Sequence, residues 1–114
     1  MRKKVGVPVE NGLLSLHFGH CREFEIVEVD LDQKEVISRQ KETAPYHEPG
    51  ALPKFLKERG VDVIIVGGIG SRASLLFEEM GITVIKGVSV CSVDRAIEDF
   101  LNNSLKTGAN ICDH

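Results

Sequence analysis

Residues 61–73, VDVIIVGGIGSRA, constrain the fold more than any other stretch of the chain. Val61, Val63, Ile64, Ile65 and Val66 form a β-branched run whose one charge, Asp62, sits near its start. A strand that is apolar on both faces has to be covered on both, and such strands belong to parallel sheets packed between helices. The run stops at Gly67-Gly68, Gly70 follows, and residues 71–80 read as a helix. Glycines at such a turn let the main chain bend tightly and let another group approach it. In open α/β sheets, ligands sit beyond the carboxyl ends of the strands. The working face of the protein is therefore expected at this turn.

The rest of the chain supplies the remaining layers. Residues 4–9 (KVGVPV) read as a first strand, with Lys and Arg before it as solvated residues. Pro8 lacks a ladder donor, so that end is expected at an edge or at the limit of the sheet. Glu10-Asn11-Gly12 reads as a turn, and residues 13–16 as a small strand or a loop. Residues 24–31 alternate apolar with acidic, the pattern of a half-buried strand, and residues 35–42 return after a turn at 32–34 to make a hairpin. Residues 43–53 hold three of the four prolines, which predicts an ordered loop entering a helix over 50–59. Pro53 suits only the first turn of that helix, and Gly60 suits its end. Residues 82–85 (ITVI) read as another buried strand. Ser89 or Ser92 is placed to cap a last helix carrying Val93, Ala96, Ile97, Phe100 and Leu101 at helical spacing. The expected architecture is α/β: one domain over 1–114, with a mixed sheet of about five strands, helices on both faces, right-handed crossovers and a flexible tail from about residue 104.

Composition excludes several classes. The 14 basic residues against 17 acidic ones leave no basic run, which argues against sequence-independent nucleic-acid binding. No apolar run approaches the roughly 20 residues that span a bilayer, and the basic N-terminus has no apolar segment behind it, so neither a membrane span nor a signal peptide is expected. Three cysteines, without a CxxC pair or a secretory signal, predict reduced thiols in a cytoplasm.

Five features bear on chemistry. Gly68-Ile69-Gly70-Ser71-Arg72-Ala73 fits G-x-G-x-x-G/A between a strand and a helix, where amides face any anion at the helix N-terminus. Dinucleotide binding needs an acid at the end of the next strand, and that strand ends at Lys86, so the NAD reading is rejected. A tight turn holding no ligand remains the alternative to an anion or cluster site. His17-x-x-His20-Cys21 is the densest set of soft ligands, of the kind that suits zinc, iron, copper and sulfide clusters. Its alternative is Phe18 as a core anchor with incidental histidines. His47 lies in the proline-rich loop, which by strand order reaches the same sheet end as Gly67. Cys91 precedes the last helix with no base beside it in sequence, and reads as a structural thiol. Cys112 and His114 offer two ligands on the tail. No nucleophile elbow, P-loop or H-E-x-x-H is present, and the strand ends lack the carboxylates a two-metal nuclease needs, so no enzyme is expected.

Taken together, Ser15-Leu16-His17-Phe18-Gly19 before the F-x-I-V-x-V-D strand that starts at Phe24, the P-Y-H-E-P-G-A-L-P loop from Pro45 to Pro53 and the Val66 to Ala73 turn resemble the dinitrogenase iron–molybdenum cofactor biosynthesis family, the NifX/NafY-like domains. The resemblance covers nearly the whole chain and is to the small stand-alone members. It implies a ribonuclease H-like fold without nuclease chemistry. It also implies a carrier of a metal–sulfur cluster, of the iron–molybdenum type or a precursor, that exchanges cargo with a donor or acceptor protein. On that reading His17, Phe18, Gly19, His47, Gly67, Gly68, Gly70, Ser71 and Arg72 contact the cluster, and His17, His20, Cys21 and His47 are its candidate metal ligands. A zinc-like metal-ion domain and an anion- or phosphate-binding regulatory module are the competing readings.

Overall fold

The computed structural model describes residues 1–15, 23–43 and 51–103. The elements run β1 (Arg2–Glu10), β2 (Leu13–Leu14), β3 (Glu23–Asp30), β4 (Glu35–Thr43), α1 (Ala51–Glu58), β5 (Val63–Ile65), α2 (Ser71–Glu79), β6 (Thr83–Ile85) and α3 (Val93–Leu101). Among the described residues six strands, not five, make one mixed sheet ordered β4-β3-β1-β5-β6, with β2 attached to β1.

The extra strand has a local cause. β5 runs parallel to β1 but pairs with it only at Val5 and Gly6. The far half of β1 is left with an open edge, and β2 takes it through Val9↔Leu14 and Glu10↔Leu13. The reversal is made at Asn11 (φ 54°) and Gly12 (φ 80°), the pair of positive dihedrals that a two-residue hairpin loop favours. Pro8 therefore lies on a central strand, at the point where β5 has departed. Its missing N–H faces that side, and its carbonyl accepts from the Ser15 N–H at 2.8 Å.

Strand alternation divides the core into two layers. Phe24 and Ile26 of β3 and Ile64 of β5 pack under α1 and α2 with Leu52, Phe55, Leu56 and Phe77. Val5 and Val7 of β1, Val27 and Val29 of β3 and Ile65 pack under α3 with Val93, Ala96, Ile97 and Leu101. Gly6 falls on the α1/α2 face, where a Cβ would come within 3.3 Å of Val61. Fully burying a side chain such as Ile64 or Phe77 stabilises the fold by roughly 1.5–3 kcal/mol. Pro53 is the third residue of α1 and is buried in its first turn, and Gly60 ends the helix region at φ 77°.

Three expectations are corrected. The basic residues Arg2 and Lys3 lie within β1 rather than before it. The ladder of β5 is shorter than its apolar run, because Val61 and Val66 are buried outside the pairing. Residues 82–85 do not form a buried strand: β6 is a sheet edge, with Thr83 exposed and Val84 and Ile85 half-buried. The opposite edge, β4, is exposed along nearly its whole length. Ser38 opposes Glu28 and Val36 opposes Val29, so Ile37 is an extra residue that bulges the strand. Bulges of this kind twist an edge away from pairing with another chain.

Candidate functional site

Strand register gathers five chain positions at one end of the sheet. β1 and β5 are parallel, so Glu10 and Gly67 leave the sheet at the same end. β3 is antiparallel to β1 with Val9 opposite Glu23, and β4 is antiparallel to β3 with Glu23 opposite Thr43. Ser15, bonded to Pro8, stands at that end too. Ser15 and Glu23, which flank residues 16–22 in sequence, and Thr43, which precedes residues 44–50, therefore stand at the end of the sheet that carries the glycine turn. His17, Phe18, Gly19, His20, Cys21 and His47 belong to these two segments and lie outside the described residues, as do Cys112 and His114.

Among the described residues, the glycine turn is tied to the segment after β6. Gly67 is buried, and its carbonyl accepts from the Gly87 N–H at 2.9 Å, while the Val88 N–H donates to the Val66 carbonyl at 3.2 Å. These bonds continue the β5–β6 pairing past the strand ends and tie the segment after β6 to the rim. Gly70 is the N-cap of α2 with extended dihedrals (φ −68°, ψ 149°) and no side-chain cap. Neither Gly67, Gly68 nor Gly70 has a positive φ, so none of them makes a left-handed bend. At Gly70 a Cβ would meet nothing within 4 Å among the described residues. The first turn of α2 has no acidic residue, and Ser71 and Arg72 are exposed. A helix start without an acid or a capping side chain leaves its N–H groups and positive end available to an anion.

Sequence reading missed two features of this rim. Lys86, taken only as the end of a strand, precedes Gly87 and so stands beside Gly67. The signal was present, since parallel strands joined by a helix finish at the same sheet end. Ser15 is buried and donates to the Glu10 carboxylate at 3.4 Å, and no local pattern predicts that contact. Cys91 lies on the α3 side, half-buried, with its carbonyl accepting from the Leu14 N–H at 2.9 Å. Burial first, and then the Asp99 carboxylate, raise its thiol above the ordinary pKa. It is the opposite of the activated thiol that a helix N-terminus can produce. Among the described residues no group of three or more His, Cys, Asp or Glu is placed to hold a metal ion.

The fold is that of an open α/β protein, a class in which ligands generally sit beyond the carboxyl ends of the strands. The chain belongs to the family described as dinitrogenase iron–molybdenum cofactor, whose model matches residues 1–103. It is 33% identical over 106 residues to the uncharacterized protein MJ0580 of Methanocaldococcus jannaschii, covering 90% of this chain and 89% of that protein. The crystal structure of PH0822 superposes with a TM-score of 0.84 at 31% identity, covering 92% of this chain and 96% of that one. The apo form of the orange protein from Desulfovibrio gigas shares the fold, with a TM-score of 0.74 at 22% identity over 95% of this chain and 94% of that one.

Proposed function

We propose that the protein is a non-enzymatic carrier that holds a metal–sulfur cluster, of the iron–molybdenum type or a precursor, and releases it to a partner protein in cluster assembly. One observation carries this reading: the flanks of both histidine-bearing segments and the glycine turn share one rim of the sheet. Family membership supports a metallocluster as the cargo. A sulfide-rich cluster is a bulky polyanion. Amides of Gly67, Gly68, Gly70 and Ser71 donate to its sulfur atoms, and Arg72 offsets its charge. His17 and His47 ligate metal, with His20 and Cys21 as further soft donors. Phe18 and Gly19 complete the contact surface. Few covalent ligands suit a carrier, because cargo held mainly by hydrogen bonds can leave. The ribonuclease H-like label and a cytoplasmic workplace, where thiols stay reduced, are part of the same reading.

The test is anaerobic purification followed by assay of iron, molybdenum, copper and acid-labile sulfide. Stoichiometric metal with sulfide is expected, reduced in His17→Ala and His47→Ala. Reconstituted protein that retains neither would overturn the proposal. Metal without sulfide would replace it with a zinc-like site. Thermal stabilisation by phosphates alone would replace it with an anion-binding module.

A further inference from the structure

A second concave site lies away from the rim. It is a polar groove of about 430 Å³ between the C-terminal end of α1 and the part of β3 and β4 that the helix leaves uncovered. Lys4, Glu28 and Ser38 form one cross-strand row of its floor, directly opposed on β1, β3 and β4, and Ile26 contributes an apolar patch beside them. Lys4 lies five residues before Val9, about 16 Å along the strand from the rim.

The cations of this groove are anchored. Arg59 Nε reaches the Glu42 carboxylate at 3.2 Å, and its Nη1 donates to the Phe55 carbonyl at 3.2 Å. The guanidinium also stacks 3.6 Å from the Phe55 ring centroid. Its second terminal nitrogen keeps its N–H donors. The Lys4 ammonium makes one long bond, 3.4 Å to the Arg59 carbonyl, and keeps two donors. The acids are not anchored. Among the described residues no hydrogen bond or ion pair involves the carboxylates of Glu28 or Glu58, nor the Ser38 hydroxyl. The groove thus brings two cations with spare donors together with two carboxylates that have no partner among the described residues, Glu28 half-buried and Glu58 exposed. A half-buried carboxylate without a partner gains most from a cation brought to it.

We propose that this groove binds a small zwitterion of the amino-acid class, with its carboxylate between Lys4 and Arg59 and its ammonium on Glu28, flanked by Ser38. The site is independent of the cargo rim, and the inference does not depend on the carrier reading. It is tested by ¹H–¹⁵N NMR titration of the whole chain with free amino acids, with their N-acetylated forms, which lack the ammonium, and with the corresponding amines, which lack the carboxylate. Saturable shifts at Ile26, Glu28, Ser38 and Arg59 are expected with a zwitterion at concentrations up to about 10 mM, and not with either analogue. Glu28→Gln is expected to weaken binding by roughly tenfold or more while keeping a native-like spectrum. The proposal fails if no amino acid produces saturable shifts. It fails equally if the analogues bind as well, or if a folded Glu28→Gln binds as tightly as the parent.

Discussion

Glu25 is the residue whose environment is least expected from its type. It faces the α3 layer of the sheet with 6% of its surface exposed. Arg39 of β4 reaches it through Nε at 2.6 Å and also bonds Asp94 in the first turn of α3. One guanidinium therefore joins two strands and a helix, and both acids hold it firmly in the charged form. Removing one partner of a buried pair leaves a charge without compensation. Arg39→Ala is expected to cost about 2–3 kcal/mol in urea unfolding, and the double change Arg39→Met with Glu25→Gln less than that. A double change as costly as the single one would show that packing, not charge, is lost. Cys91 gives a second residue-scale prediction. A raised thiol pKa means less thiolate at any given pH, so Cys91 is expected to alkylate more slowly at neutral pH than Cys in an unstructured peptide, as read by peptide mass mapping. The sign carries over to stability. The folded thiol ionises later than the unfolded one, so this group favours the unfolded state as pH rises above about 9.

The helices differ at their starts. At α3, the Ser92 hydroxyl accepts from the Arg95 N–H at 3.1 Å and Asp94 lies in the first turn. Ser92→Ala is expected to cost about 1 kcal/mol in thermal or urea unfolding, and Ser92→Gly only a few tenths. At α2 the corresponding position is Gly70, without a side-chain cap or a nearby acid. Because Gly70 has ordinary extended dihedrals and open space at its Cβ, Gly70→Asp can be accommodated. It is expected to stabilise the protein by about 0.5 kcal/mol through capping and the helix dipole. On the carrier reading it also lowers cluster loading, since it brings an anion to the place kept for the cargo. Gain in stability without loss of loading would remove α2 from the site.

For the whole molecule, the sheet grades from a doubly covered centre to two exposed edges. β5 lies between both core layers, with Ile64 and Ile65 fully buried, while β4 and β6 form the rims of the sheet. Amide hydrogen exchange is expected to be slowest at Ile64 and Ile65 and faster by orders of magnitude along the outer side of β4. A uniform protection pattern would contradict this layering. The same topology decides which loops are neighbours. Residues as distant in sequence as Ser15, Thr43 and Gly67 stand at the same end of the sheet because parallel and antiparallel pairing bring particular strand ends to one side.

Much of this was legible in the amino-acid sequence. The unbroken apolar run of β5, the alternation of β3, the helical spacing of α3 and the turn residues Asn11-Gly12 and Gly60 report on short-range geometry, which each segment carries in its own residues. The α/β class and the glycine turn followed from them. Other features needed the tertiary structure. β2 exists because β5 leaves β1 early, and ITVI is an edge because, among the described residues, β6 pairs with β5 alone. Glu25 is buried because Arg39 and α3 close over it, and Lys86 joins the rim through a bond from Gly87 to Gly67. Local pattern encodes what a segment can become, whereas burial, pairing and charge compensation depend on partners far along the chain, and only the folded sheet selects them.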